Sequence, residues 1–218
     1  MKVSGAKDKN LIWILDFDRT LFDTDKLIRD YAATMEKRLA IPKAITAAAK
    51  AGAQKKGDIF DFDRQLVLLA KLSGVPLPRI VKESAVFYKT SPKYFFRDTL
   101  PFLRSIAKKD HVVLLSYGHI GHQRDKIQLS GIKKYFKKVI VTDAKMGKTQ
   151  WVRKYLTKSS RVVFVNDHPE ETHVILRACV RPWKVILVER PGTKYSPVPP
   201  HKDYAIVRDL RKIKSLLY

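Results

Sequence analysis

LIWILDFDRTLFDTD (residues 11–25) runs from five consecutive apolar residues into alternating acids, and Thr20 follows the second acid by two positions. An apolar run of this length with no polar alternation reads as a β-strand covered on both faces. Four more runs repeat the pattern: HVVLL (111–115), KKVIV (137–141), RVVFV (161–165) and WKVILV (183–188). Between the last four lie stretches long enough for crossover helices, at 122–130, 147–157 and 169–178. Strands alternating with helices predict an α/β fold, a Rossmann-like three-layer core around a mostly parallel sheet.

One interval breaks the alternation. Between the first two runs, 25–40, 43–56, 61–73 and 78–90 have helical composition and are separated by Pro- and Gly-bearing breaks. The segment 98–109 then leads back to the sheet. The chain therefore divides into a tail (1–9), an α/β core (10–23 and 96–218) and a small all-helical insertion (24–95). Near the end, PGTKYSPVPPHK (191–202) reads as a surface loop, and YAIVRDLRKIKSLL (204–217) as a last short strand and helix.

Of the 218 residues 45% are hydrophobic, enough for a packed core. No apolar run reaches bilayer length and the first residues lack the pattern of a secretory signal, so no membrane association is expected. Cys179 is the only cysteine, which excludes an intrachain disulfide and suits a reducing, cytoplasmic setting. The formal net charge is +23. Residues 97–160 carry +11, whereas 1–23 sum to zero and 161–176 to −2, so the stretches around Asp16 and Asp167 escape the excess. A field of this sign attracts phosphorylated substrates or nucleic acid.

In open parallel sheets, functional groups collect at the carboxyl ends of strands. Those ends carry Asp16, Asp18 and Thr20; then Ser116 and Tyr117; then Lys145 and Lys148; then Asn166, Asp167, Glu170 and Glu171. Together they resemble the haloacid dehalogenase-like hydrolase superfamily, most of whose members are Mg2+-dependent phosphatases. Ile12 to Thr20 match its first motif, Ser116 its second, Lys148 (or Lys145) its third and Asp167 its fourth. The helical insertion sits where one class of the superfamily carries an α-helical cap.

The resemblance implies Asp16 as nucleophile and Asp18 as general acid and base. It places the phosphoryl oxygens on Thr20, Ser116, Tyr117 and Lys148. Mg2+ would be held by Asp16, the Asp18 carbonyl and Asp167, with Glu171 (or Glu170) and Asn166 acting behind them through water or by orienting the lysine. Arg19 departs from the pattern, standing where the superfamily usually has Gly. Asp18 favours a phosphatase over a dehalogenase, and a cap of this size favours a small phosphorylated metabolite. Alternatives are a phosphatase of nucleic-acid ends, a nucleic-acid-binding protein on the same fold, and a non-catalytic relative.

Other residues have plainer readings. DFDR recurs at 61–64 with no strand before it, and its acids suit a helix N-terminus. His119 and His122 follow the second motif, where His122 sits near a helix start. His168 shapes the turn before Pro169, and Cys179 reads as inert core. KKYFKK (133–138) interleaves lysines and aromatics, as single-strand binders do, but also suits a helix end leading into a strand.

Overall fold

The computed structural model describes residues 11–54, 59–144, 146–156, 161–179 and 184–217. The expected tail (1–9), Lys145, Trp183 and the last residues of the expected 43–56 and 147–157 helices lie outside them.

Six strands form one sheet: β1 (Ile12–Leu15), β2 (His111–Tyr117), β3 (Lys138–Thr142), β4 (Val162–Asn166), β5 (Lys184–Val188) and β6 (Ala205–Val207). Their order is β3-β2-β1-β4-β5-β6, and every pair is parallel. The central β1 aligns Leu15 with Leu114 on one side and Val165 on the other. The continuous apolar runs follow from burial on both faces. Trp13, Leu15, Val112, Leu114, Val163 and Val165 enter one core cluster, while Ile14, Val113, Leu115, Val162 and Phe164 enter the other.

Helix α5 (Thr99–Ile106), α6 (Ile120–Ser130) and a 3-10 helix over Leu210–Leu216 cover the first face through Phe102, Ile127 and Ile213. That final segment, read as a helix in the sequence, is thus the tighter 3-10 form. On the other face α7 (Gly147–Leu156) and α8 (Pro169–Ala178) contribute Val152, Tyr155 and Ile175. The fold is an α/β, Rossmann-like three-layer sandwich. Strand order reverses direction between β1 and β4, and that switch leaves a crevice at their carboxyl ends.

Four further helices lie between β1 and α5: α1 (Thr24–Leu39), α2 (Lys43–Gly52), α3 (Phe62–Ser73) and α4 (Leu77–Tyr88). Leu27, Tyr31, Met35 and Leu39 recur every fourth residue on the buried side of α1. Tyr31 and Ser84 join α1 to α4 by a hydroxyl–hydroxyl bond of 2.8 Å. The second DFDR is a helix start, since Asp61 Oδ1 accepts from Arg64 N at 3.1 Å and Asp63 lies in the first turn of α3.

Two sets of contacts stand out where this helical unit joins the sheet, one on the chain just before and after it and one on its own helices. In the first, buried Arg190 donates to both Asp98 oxygens (2.8 and 3.0 Å) and to the Thr20 carbonyl (2.9 Å). Leu210 N donates to Asp98 as well, at 2.8 Å. In the second, His122 of α6 is stacked on Phe62 (centroids 4.9 Å apart) and edged by Phe60 and Tyr88 at 5.5 and 5.8 Å.

Burial in this cage, helped by the Lys126 charge, lowers the His122 pKa from 6.5 to about 3. The folded protein therefore keeps His122 neutral over a range in which the unfolded chain protonates it. Its contribution to stability is full above pH 6.5 and is lost as pH falls from there toward 3, at up to about 1.4 kcal/mol per pH unit. His122→Phe is expected to flatten denaturation midpoints measured across that window. An unchanged slope would show that His122 is already charged in the fold.

Candidate active site

Asp16 follows β1 directly and donates its amide to the Val165 carbonyl at 3.0 Å, which fixes it at the switch point. Its side chain is buried, with Oδ1 2.5 Å from Lys148 Nζ and Oδ2 3.3 Å from Thr20 Oγ1. Thr20 Oγ1 also lies 3.4 Å from Asp167 Oδ1, at the end of β4. The motif residues expected from four strand ends thus converge.

Lys148 opens α7 because Gly147 permits a close turn. A Cβ on Gly147 would fall 1.9 Å from Thr142 Oγ1, so no larger residue fits there. The lysine then reaches across to Asp16 and, at 2.7 Å, to Glu171 Oε2. Asn166 Nδ2 donates to the same Glu171 oxygen at 3.0 Å and to Thr172 Oγ1 at 3.1 Å. Glu171 is therefore the acid paired with the lysine, whereas Glu170 is exposed.

Asp18 has different partners from Asp16. Its Oδ1 accepts from Lys126 Nζ at 2.6 Å and from Thr24 Oγ1, and its Oδ2 from Gln123 Nε2 at 2.6 Å. Gln123 also donates to Ser116 Oγ at 2.9 Å and to the Tyr117 carbonyl at 3.1 Å. Ser116, next to last in β2, is buried, whereas Tyr117 meets the network through its backbone. Lys126, Gln123 and Thr24 escaped sequence reasoning. Gln123 and Lys126 share the buried stripe of α6 with Ile127 and Ser130, a burial that polar residues on a helix do not announce in sequence.

Arg19 adopts φ 57°, the left-handed region that glycine enters freely. This accounts for the usual Gly of the motif. Here the strained backbone is held by a bidentate guanidinium–carboxylate pair with Asp25, the shortest contact being 2.7 Å. His168 precedes α8 and stacks on Tyr195 at 4.2 Å. His119 caps α6, and Cys179 is buried core.

The electrostatics share one cause. Burial raises the Asp16 pKa to about 6, against the pull of Lys148, with the Glu171 and Asp18 charges adding to it. Burial and then the Asp16 charge push Asp167 well above the ordinary carboxylate range. Burial opposes the Lys148 charge, yet Asp16 and Glu171 outweigh it and raise its pKa. Asp18 goes the other way: burial is overcome by Lys126, which holds the carboxyl far below its usual range.

Four carboxylates (Asp16, Asp18, Asp167, Glu171) thus face two buried ammonium groups (Lys126, Lys148), leaving a deficit of two positive charges. Asp167 Oδ2 is buried without a partner, as is Asn166 Oδ1. A divalent cation would satisfy both the deficit and the orphaned carboxylate oxygen. Among the described residues, no three His, Cys, Asp or Glu side chains converge to hold a metal. Mg2+ fits such a site, since it takes one or two carboxylates and retains several waters. Asp16 and Asp167 could hold it, with the Asp18 carbonyl.

No family model matches the sequence, and no curated protein does. Solved structures match over nearly the whole chain. A haloacid dehalogenase-like hydrolase from Burkholderia xenovorans is 17% identical, with 92% of this chain and 95% of that one covered at a TM-score of 0.72. The magnesium-bound HAD-hydrolase YfnB from Bacillus subtilis is 12% identical, over 96% and 99% of the two chains, with a TM-score of 0.62. An L-2-haloacid dehalogenase from Xanthobacter autotrophicus, solved with chloropropionic acid covalently bound, is 16% identical over 96% and 98%, at 0.63. The chain has the fold of the haloacid dehalogenase-like hydrolases.

Magnesium titration is expected to raise the thermal midpoint of the wild type, because a ligand bound only by the folded state stabilises it. In Asp167→Asn the increment should largely disappear. Equal increments in the two proteins would remove Asp167 from the cation site.

Proposed function

We propose that the chain is a Mg2+-dependent phosphatase that hydrolyses a phosphate monoester through an aspartyl-phosphate on Asp16, with a small phosphorylated metabolite as substrate. The observation that carries this reading is a second, half-buried carboxylate, Asp18, standing two residues after Asp16 with its own set of donors. Carboxylate displacement of a halide needs no such group, whereas phosphoryl transfer to Asp16 needs a proton handled at the leaving oxygen and then at water.

Asp16 would attack phosphorus through a carboxylate oxygen as the bond from phosphorus to the ester oxygen breaks. Ser116 Oγ and Thr20 Oγ1 can donate to phosphoryl oxygens, and Lys148 offsets their charge. Asp18 would pass a proton to the leaving oxygen and recover one from the water that hydrolyses the aspartyl-phosphate. Its pairing with Lys126 favours the carboxylate form, so the proton for the leaving oxygen would be taken up only as the anionic substrate offsets the Lys126 charge. Mg2+ bound by Asp16, Asp167 and the Asp18 carbonyl would neutralise the dianionic substrate. The α1–α4 unit would act as the cap that restricts access.

A screen of phosphorylated metabolites with Mg2+ tests this reading. Wild type should release phosphate from at least one small ester, and Asp16→Asn should lose about 10³-fold or more of that rate. Full activity in Asp16→Asn would exclude the mechanism, and halide release from 2-haloacids without phosphate release would favour a dehalogenase.

The charge supports a second reading, in which the ester is a nucleic-acid end. Lys133, Lys134, Lys137 and Lys138 are exposed at the β3 edge and make no ion pair among the described residues, and Lys138 lies 4.6 Å from the Trp151 ring centre. Binding of a labelled single strand should then fall steeply with salt, with a slope of roughly −0.7 per phosphate contacted. No binding at low ionic strength would dismiss it.

A further inference from the structure

We infer that α6 supplies two positioning residues for the reaction, Lys126 and Gln123, which hold the Asp18 carboxylate in register with Ser116. The inference rests on the phosphatase reading and deepens it.

Lys126 is 4% exposed, a rare placement for a lysine. Among the described residues its anionic contact is Asp18, at 2.6 Å, and the Phe17 ring centre lies 5.5 Å from the ammonium. Gln123, one turn earlier, is equally buried. Its amide nitrogen has two hydrogens and three acceptors in reach: Asp18 Oδ2, Ser116 Oγ and the Tyr117 carbonyl. Carboxylate and carbonyl oxygens only accept, which fixes the orientation of the amide. Gln123 Oε1 is then buried with no protein partner.

Gly118 is an independent sign that the fold makes room for this side chain. It stands at φ 145°, and a Cβ there would lie 3.1 Å from Gln123 Cγ. Thr24, the first residue of α1, completes the cradle on Asp18 Oδ1. Both oxygens of Asp18 are thus held by donors. Two come from a single helix, and the same helix reaches the hydroxyl proposed to bind the phosphoryl group. The loop after β1 and the end of β2 are fixed to each other through α6.

A lysine that merely fills the core would affect stability wherever Asp18 is present or absent. A lysine that positions Asp18 matters to turnover only when Asp18 is there. The test is a double-mutant cycle on hydrolysis of para-nitrophenyl phosphate with Mg2+, using wild type, Lys126→Met, Asp18→Asn and the double variant. Lys126→Met should lower kcat about 10²-fold, the scale expected for a misplaced catalytic group, with KM changed less than about threefold. In the Asp18→Asn background the same substitution should leave kcat unchanged within about threefold. Gln123→Met should lower kcat in the same background-dependent way.

Equal losses in both backgrounds would overturn the inference, as would a rise in KM at unchanged kcat, which would make Lys126 a substrate contact. Should Lys126→Met fail to fold with Asp18 left unpaired, the Gln123→Met arm still decides, since that substitution leaves the Lys126–Asp18 pair in place. An Asp16→Asn enzyme with full activity would instead sink the phosphatase reading, and the two failures are read from different variants.

Discussion

Buried Lys148 meets buried Asp16 and half-buried Glu171, and the rest of this sheet edge is arranged around that contact. A buried ammonium is stable only beside carboxylates, and buried carboxylates beside one another only with such a cation between them. The triad therefore binds the end of β1 to the start of α7 and to α8. Burial first, and then the neighbouring carboxylate charges, raise the pKa values of Asp16 and Asp167.

Much of this was legible in the sequence because parallel strands with both faces covered leave long apolar runs, and their carboxyl ends are where polar residues begin. Asp16, Ser116, Lys148 and Asp167 each follow such a run, so strand assignment alone brought them together. Glu171 could be paired with the lysine only as one of two acids; the geometry separates it from exposed Glu170. Lys126 and Gln123 were not legible as chemistry, because a buried polar residue and a solvated one look alike on a helix. Arg19 was legible as a departure from the motif. Its reason, a left-handed backbone held by Asp25, is a property of φ, which composition does not reveal.

The repeated DFDR shows how context divides identical residues. In the first copy both acids stand at the sheet edge. In the second, Asp61 caps a helix, and the functional contact passes to the neighbouring phenylalanine, which stacks on His122 of α6. The same helix thus faces Asp18 through Gln123 and Lys126 and faces the helical unit through His122. It couples the two sides of the crevice.

The Asp98–Arg190 joint bears on how the chain comes to be folded during synthesis. Asp98 is buried, and its partners are Arg190, 92 residues later, and the amide of Leu210, 112 residues later. The return path from the helical unit to the sheet therefore stays electrostatically unsatisfied on the ribosome until the segment around 210 has emerged. Contacts of such sequence separation form late. Burial of Asp98 with its partners therefore depends on the segment that carries β5, β6 and the final 3-10 helix.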